Sequence, residues 1–175
     1  MASDFLNRLI GTWNLISYTA TSITDPLNVV LPLGACRGRA IFSADGYVSA
    51  YIQATNIQSY SEGRFHASAQ ELANAAKRTI AYTAPYRLEE DITHSNKATI
   101  YYDVEMSMPP NWIGTTEIRE LEFEEGENGD MFMYLRPPGT VEVGGMVRKV
   151  EVKTVRARDN SGVGKVDGGK QKAKL

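Results

Sequence analysis

Ala98-Thr-Ile-Tyr-Tyr-Asp-Val-Glu-Met-Ser-Met108, the corner Pro109-Pro-Asn-Trp-Ile-Gly114 and the run Thr115-Thr-Glu-Ile-Arg-Glu-Leu-Glu-Phe123 decide the fold. In the first segment Ala98, Ile100, Tyr102, Val104, Met106 and Met108 alternate with Thr99, Asp103, Glu105 and Ser107, the pattern of a strand with one dry face. After the corner, Leu121 and Phe123 set the inward parity of a second strand and carry Glu117 and Arg119 onto the same face. A carboxylate and a guanidinium therefore point where apolar side chains belong. An unpaired buried charge is costly, so the two must pair or meet a ligand. If the strands pair antiparallel about the corner, residues equidistant from it stand opposite each other, bringing Tyr102 close to Glu117 and Arg119.

Working outward, Gly38-Arg-Ala-Ile-Phe42 and Tyr47-Val-Ser-Ala-Tyr-Ile52 flank Ser43-Ala-Asp-Gly46, a strong hairpin signal. Thr12 to Tyr18 reads as a strand after Gly11, and Thr19 to Leu33 as a polar connection. Thr79 to Leu88 reads as a strand with Ile80, Tyr82, Tyr86 and Leu88 on one parity. Pro85 lacks an N–H, which predicts an edge or a bulge there. Met131 to Leu135 and Met146 to Arg156 are further strands, the latter with Val150, Val152 and Thr154 inward. Two helices are expected: Ser3 to Ile10, with Phe5, Leu6, Leu9 and Ile10 at helical spacing, and Ser68 to Lys77, with Ser68 and Glu71 at capping-box positions.

About eight short strands separated by regular turn signals predict an all-β chain whose antiparallel sheet closes on itself. A barrel of about eight strands has room inside for side chains or one small ligand. Met1 to Ile10 is expected to cap the Trp13 end, and the Ser68 helix to cover the other mouth. Residues 1–158 read as a single barrel domain and 159–175 as a flexible basic tail, because Gly and Lys dominate there.

The net charge of -2, with both signs mixed along the chain, supplies no basic stripe for nucleic acid. The single Cys36 excludes an intramolecular disulfide and fits a reducing compartment. No apolar run approaches the roughly 18 residues of a membrane span, and the N-terminus lacks the layout of a secretory leader. An intracellular, cytoplasmic protein is expected, with a homodimer as one expected assembly. Ala173-Lys174-Leu175 is similar to the Ser-Lys-Leu type of peroxisomal address, readable by an import receptor. His66 and His94 lie in polar loops without a third ligand, and no Gly-rich phosphate loop opens a helix. Neither a metal nor a cofactor is therefore expected.

Leu9-Ile-Gly-Thr-Trp-Asn-Leu-Ile-Ser-Tyr18 resembles the opening of the lipocalin-like domain family of bacterial and fungal proteins. The likeness continues through Pro32-Leu-Gly34, Gly38 to Phe42, Asp45 to Ala50, Tyr82 to Tyr86, and Pro110 to Thr115 with Glu117-Ile-Arg119, covering most of residues 5 to 156. The resemblance implies a small calycin-type barrel around an apolar small molecule, with Trp13 and a late arginine, Arg156 or Arg158, plugging one end. It does not imply a single activity: fungal relatives of lipocalin-like shape are often encoded with secondary-metabolite pathways, where some act as cyclases or isomerases. Many members carry histidine where Tyr102 aligns, so any proton or hydrogen bond there falls to tyrosine.

The catalytic candidates are Tyr102, Glu117 and Arg119. The candidate ligand contacts are Tyr82, Tyr86, Val104, Met106, Leu121, Phe123, Val152 and Thr154. Donors, a carboxylate and a cation inside an apolar cup have the composition of a pocket, although Glu117 and Arg119 read equally well as a structural ion pair. Two functions follow. One is a cofactor-independent enzyme that cyclises or isomerises a hydrophobic polyketide- or terpenoid-like intermediate. The other is a non-catalytic carrier for a hydrophobic metabolite.

Overall fold

A computed structural model describes residues 3–158 of the chain. Helix α1 (Asp4–Leu9) leads into β1 (Gly11–Ser22), followed by β2 (Val29–Val30), β3 (Cys36–Phe42) and β4 (Tyr47–Ala54). After α2 (Ala69–Lys77) come β5 (Thr79–Glu90), β6 (Lys97–Asp103) and β7 (Met106–Ser107). A short 3-10 turn at Pro110–Trp112 precedes β8 (Thr116–Glu125), β9 (Met131–Arg136), β10 (Val141–Val143) and β11 (Met146–Arg156). All pairings are antiparallel, and the path β11-β9-β8-β6-β5-β4-β3-β1 is closed by β1 pairing with β11, from Trp13 opposite Arg156 to Ser22 opposite Arg148. The result is a closed barrel of eight long strands, with β2, β7 and β10 as short additions at one rim.

The pairing at the Pro109 corner has the register that equidistance demands, with Tyr102 opposite Glu117, Ile100 opposite Arg119 and Ala98 opposite Leu121. Pro85 sits where β5 changes partners on one side. β7 pairs with Tyr82 and Thr83, the pairing with β6 begins at Tyr86, and the missing N–H falls in the gap between them. Gly46, at φ 88°, supplies the left-handed residue that closes the β3–β4 turn.

One end of the barrel is plugged. Ser3 caps α1, and the helix buries Phe5 and Leu9. Phe5 packs on Phe123 with ring centroids 4.8 Å apart, and Phe123 stacks on Trp13 at 5.6 Å. The Trp13 indole N–H donates to the Leu9 carbonyl at 2.9 Å, so the buried polar atom of this residue is satisfied. Arg156 lies over the Trp13 ring at 5.5 Å and donates to the carbonyls of Arg8 and Ile10. Gly11 is required beneath it, because φ is 137° and a Cβ would stand 3.0 Å from the Arg156 guanidinium.

Two expectations about the opposite end need correction. The chain does not run as one strand from Ala98 to Met108: β6 stops at Asp103, and Val104 exchanges backbone hydrogen bonds with Gly114 and Thr115 instead. The break resets parity, so Met106 emerges 62% exposed, and Met108 is also exposed. Helix α2 has its Ser68–Glu71 capping box, but none of its residues lines the cavity described below. Its only large apolar side chain, Leu72, is exposed, and the alanines around it offer little surface to bury.

Candidate functional site

Between the aromatic plug and the open rim the inward side chains do not meet, and a cavity of about 290 Å³ remains. Its volume follows from sequence: Ala40 and Ala50 are cross-strand partners on the inward face, where larger residues would fill the barrel. Ile52 and Ile80, paired across β4 and β5, form one wall, and Leu135, Val150 and Val152 form the facing wall. Trp112, Pro137, Val141 and Val143 line the rim, whereas no residue of α2 does.

Glu117 and Arg119 both reach this apolar space, their side chains only 24% and 17% exposed. Arg119 Nη2 donates to Glu117 Oε2 at 3.0 Å, and Nη1 donates to the Ile118 carbonyl at 2.6 Å. The two charges thus neutralise each other inside the barrel, which is the condition for a tolerable buried pair. Arg39 also touches the lining, but it is an exposed residue whose Nε is held outside by Asn14 Oδ1 at 2.9 Å.

Two phenols, Tyr18 and Tyr82, complete the polar part of the lining, with Thr154 beyond them donating to the Met133 carbonyl at 3.1 Å. Burial pushes both phenols above their ordinary value, and the positive charge of Arg119 opposes the shift. Near neutral pH they are uncharged hydrogen-bond donors. Tyr18 comes inward through a bulge. Leu15 faces Thr154 and Tyr18 faces Val152, but Ser17 faces Lys153, so Ile16 is extra and exposed. Inward parity therefore changes from odd at Trp13 and Leu15 to even at Tyr18 and Ala20.

Of the residues singled out from sequence, Tyr82, Glu117, Arg119, Val152 and Thr154 come together at the cavity. Tyr102 does not line it. It is wholly buried behind Tyr82, ring centroids 5.7 Å apart, and its hydroxyl has no hydrogen-bond partner. Burial, reinforced by the neighbouring Tyr82, pushes its phenol well above the ordinary value despite Arg119. Tyr86, Val104, Leu121 and Phe123 are core residues away from the lining. Tyr86 packs edge-on against Phe42 and donates to the Ser43 carbonyl at 3.0 Å, and Phe123 belongs to the Trp13 plug. Met106 is outside for the reason given above. Sequence reasoning missed Tyr18, Trp112 and the small Ala40–Ala50 pair. Inward alanines were a legible signal of empty space, whereas an unmarked bulge was not.

Among the described residues no group of three His, Cys, Asp or Glu side chains is placed to hold a metal ion, and no helix is long and apolar enough to cross a membrane. The Ala173-Lys174-Leu175 tripeptide lies outside the described residues.

A family model described as a lipocalin-like domain matches residues 10–149. No curated protein matches the chain. Among solved structures, a redesigned β-barrel is similar over 89% of this chain and 96% of its own, at 10% identity and a TM-score of 0.38.

Proposed function

The chain belongs to the lipocalin-like domain family, and on that premise we propose that it takes one hydrophobic small molecule into the barrel and promotes its cyclisation or isomerisation. The observation that carries this reading is the Glu117–Arg119 pair in an otherwise apolar cavity, flanked by the uncharged donors Tyr18 and Tyr82. A carbonyl oxygen beside Arg119 would meet a guanidinium and phenols already in place. Preorganised donors in a site poor in water lower the barrier when that oxygen gains negative charge. The walls hold the carbon skeleton in a reactive conformation, and Glu117 orients Arg119 or moves a proton. At about 290 Å³, the cavity lies near the small end of the roughly 300–1,000 Å³ range of ligand pockets, which favours a compact ligand.

A carrier reading draws on a different feature of the same pair. Both of its charges are satisfied within the protein, Arg119 by Glu117 and the Ile118 carbonyl, and a purely structural pair would look the same. Native mass spectrometry against a panel of small apolar carbonyl compounds, followed by product analysis, separates the two. The enzyme reading expects a bound compound to be converted, with Arg119→Ala lowering turnover by a factor of roughly 10² or more while the fold persists. It expects Ala50→Phe, which fills the cavity, to abolish binding. Binding without conversion by the parent would leave only the carrier, and full turnover by Arg119→Ala would remove Arg119 from the chemistry.

A further inference from the structure

The charge balance of the cavity restricts what it can accept. Its lining brings one carboxylate, Glu117, and one buried guanidinium, Arg119, into contact at 3.0 Å. The remaining polar groups pointing inward, Tyr18, Tyr82 and Thr154, are uncharged. Arg39, the other charged residue at the lining, is exposed and engaged by Asn14. A carboxylate ligand would place a second negative charge beside Glu117 with no second buried cation to match it. An ammonium ligand would do the same beside Arg119. In an apolar enclosure both carry a desolvation cost that the pair cannot offset.

From this we infer that the ligand class is a neutral, enolisable carbonyl compound whose oxygen is held by Arg119 and the tyrosines and whose acidic C–H faces Glu117. The inference rests on the proposed function and narrows its substrate. The ion pair occupies Oε2 of Glu117, so Oε1 is the oxygen left to take a proton. In the step, the C–H bond α to the carbonyl breaks and its proton passes to Glu117. The electron pair of that bond becomes the carbon–carbon double bond, and the carbonyl π pair moves onto oxygen, where Arg119 and a phenol donate hydrogen bonds. Where a carbon–carbon double bond is conjugated with the enolate, return of the proton from Glu117 to its far carbon gives an isomer. Attack of the enolate carbon on a second carbonyl of the same molecule breaks that carbonyl's π bond and gives a ring whose alkoxide takes the proton back from Glu117. Atoms and charge balance with no co-reactant. The tyrosines suit this role because burial keeps them protonated while the enolate forms.

A matched set of bicyclic probes tests the inference: 2-tetralone, 2-naphthol, 2-naphthoate and unsubstituted naphthalene, titrated calorimetrically at neutral pH. Exchange of the α-hydrogens of 2-tetralone in heavy water is followed by NMR. The parent protein is expected to bind 2-tetralone and 2-naphthol at least tenfold more tightly than 2-naphthoate and to accelerate exchange at the α-carbon. Glu117→Gln leaves Arg119 as an unbalanced cation, so it should gain at least tenfold for 2-naphthoate while losing the exchange activity. Parent protein that prefers 2-naphthoate, or Glu117→Gln that still accelerates exchange, overturns the inference and leaves hydrophobic binding standing. Failure of all four probes, naphthalene included, to bind the parent overturns the cavity reading itself. Should Glu117→Gln not fold, the parent's preference between ketone and carboxylate decides alone.

Discussion

The hydroxyl of Tyr102 has no hydrogen-bond partner inside the barrel, and an unsatisfied buried donor costs roughly 1–3 kcal/mol. Tyr102→Phe removes the donor and keeps the ring against Tyr82, so it is expected to unfold at a higher urea concentration than the parent. A second readout follows from the raised phenol. The folded state keeps a proton that the unfolded chain gives up near pH 10, so folded-state stability is fully present below that pH and is lost as pH rises toward the folded-state value. Denaturant midpoints measured between neutral pH and about pH 11 should therefore fall less for Tyr102→Phe than for the parent. A steeper fall in the variant would mean that the folded state holds this phenol below, not above, its ordinary value. Strand parity read correctly for Tyr82, Glu117, Arg119, Val152 and Thr154, because each lies on an unbroken run whose inward face is fixed by apolar neighbours. It misplaced Met106, beyond a break, and left Tyr18 unplaced, beyond a bulge, because one extra residue inverts every later side chain.

At the level of elements, the strongest local chemistry belongs to α2. Glu71 accepts from the backbone N–H of Ser61 and Ser68 and from the Ser68 hydroxyl, which draws its carboxyl down to about 2. The depressed value means that its contribution is present above the ordinary glutamate range and is lost as pH falls toward about 2. Amide exchange in α2, taken relative to its intrinsic rate at each pH, is expected to quicken between about pH 4 and pH 2. Ser68→Ala should quicken it at neutral pH as well, with protection in β6 and β8 unchanged because α2 buries no residue. Loss of protection throughout the barrel would show that α2 is part of its cooperative unit. The cap and the β3–β4 turn were legible because both are short-range patterns with a local physical cause. The position of α2 relative to the mouth was not, since it depends on burial, and a helix of small and polar residues has little to bury. The pairing of β10 with β11 was likewise invisible in a three-residue segment after Pro137 and Pro138.

The whole molecule divides its interior by residue size. Phe5, Trp13, Phe42, Phe123 and Met133 fill the plugged end, whereas the Ala40–Ala50 pair and a mutually neutralised ion pair leave the other half open to one small guest. The motif order carried the closed barrel in the sequence, and β1 against β11, with Arg156 over Trp13, is the contact that completes it. The inward alanines signalled empty space, but its full extent could not be read in the same way, because it depends on three walls meeting. The central claim, that this cavity receives an apolar ligand at Glu117 and Arg119, is tested most directly by a methyl NMR titration with 2-tetralone. Shifts are predicted for Ile52, Ile80, Leu135, Val150 and Val152, with Leu9 and Ile100 unmoved. Saturating ligand that leaves the first group unshifted, or that shifts only exposed methyls such as those of Leu27 and Ile92, would contradict it.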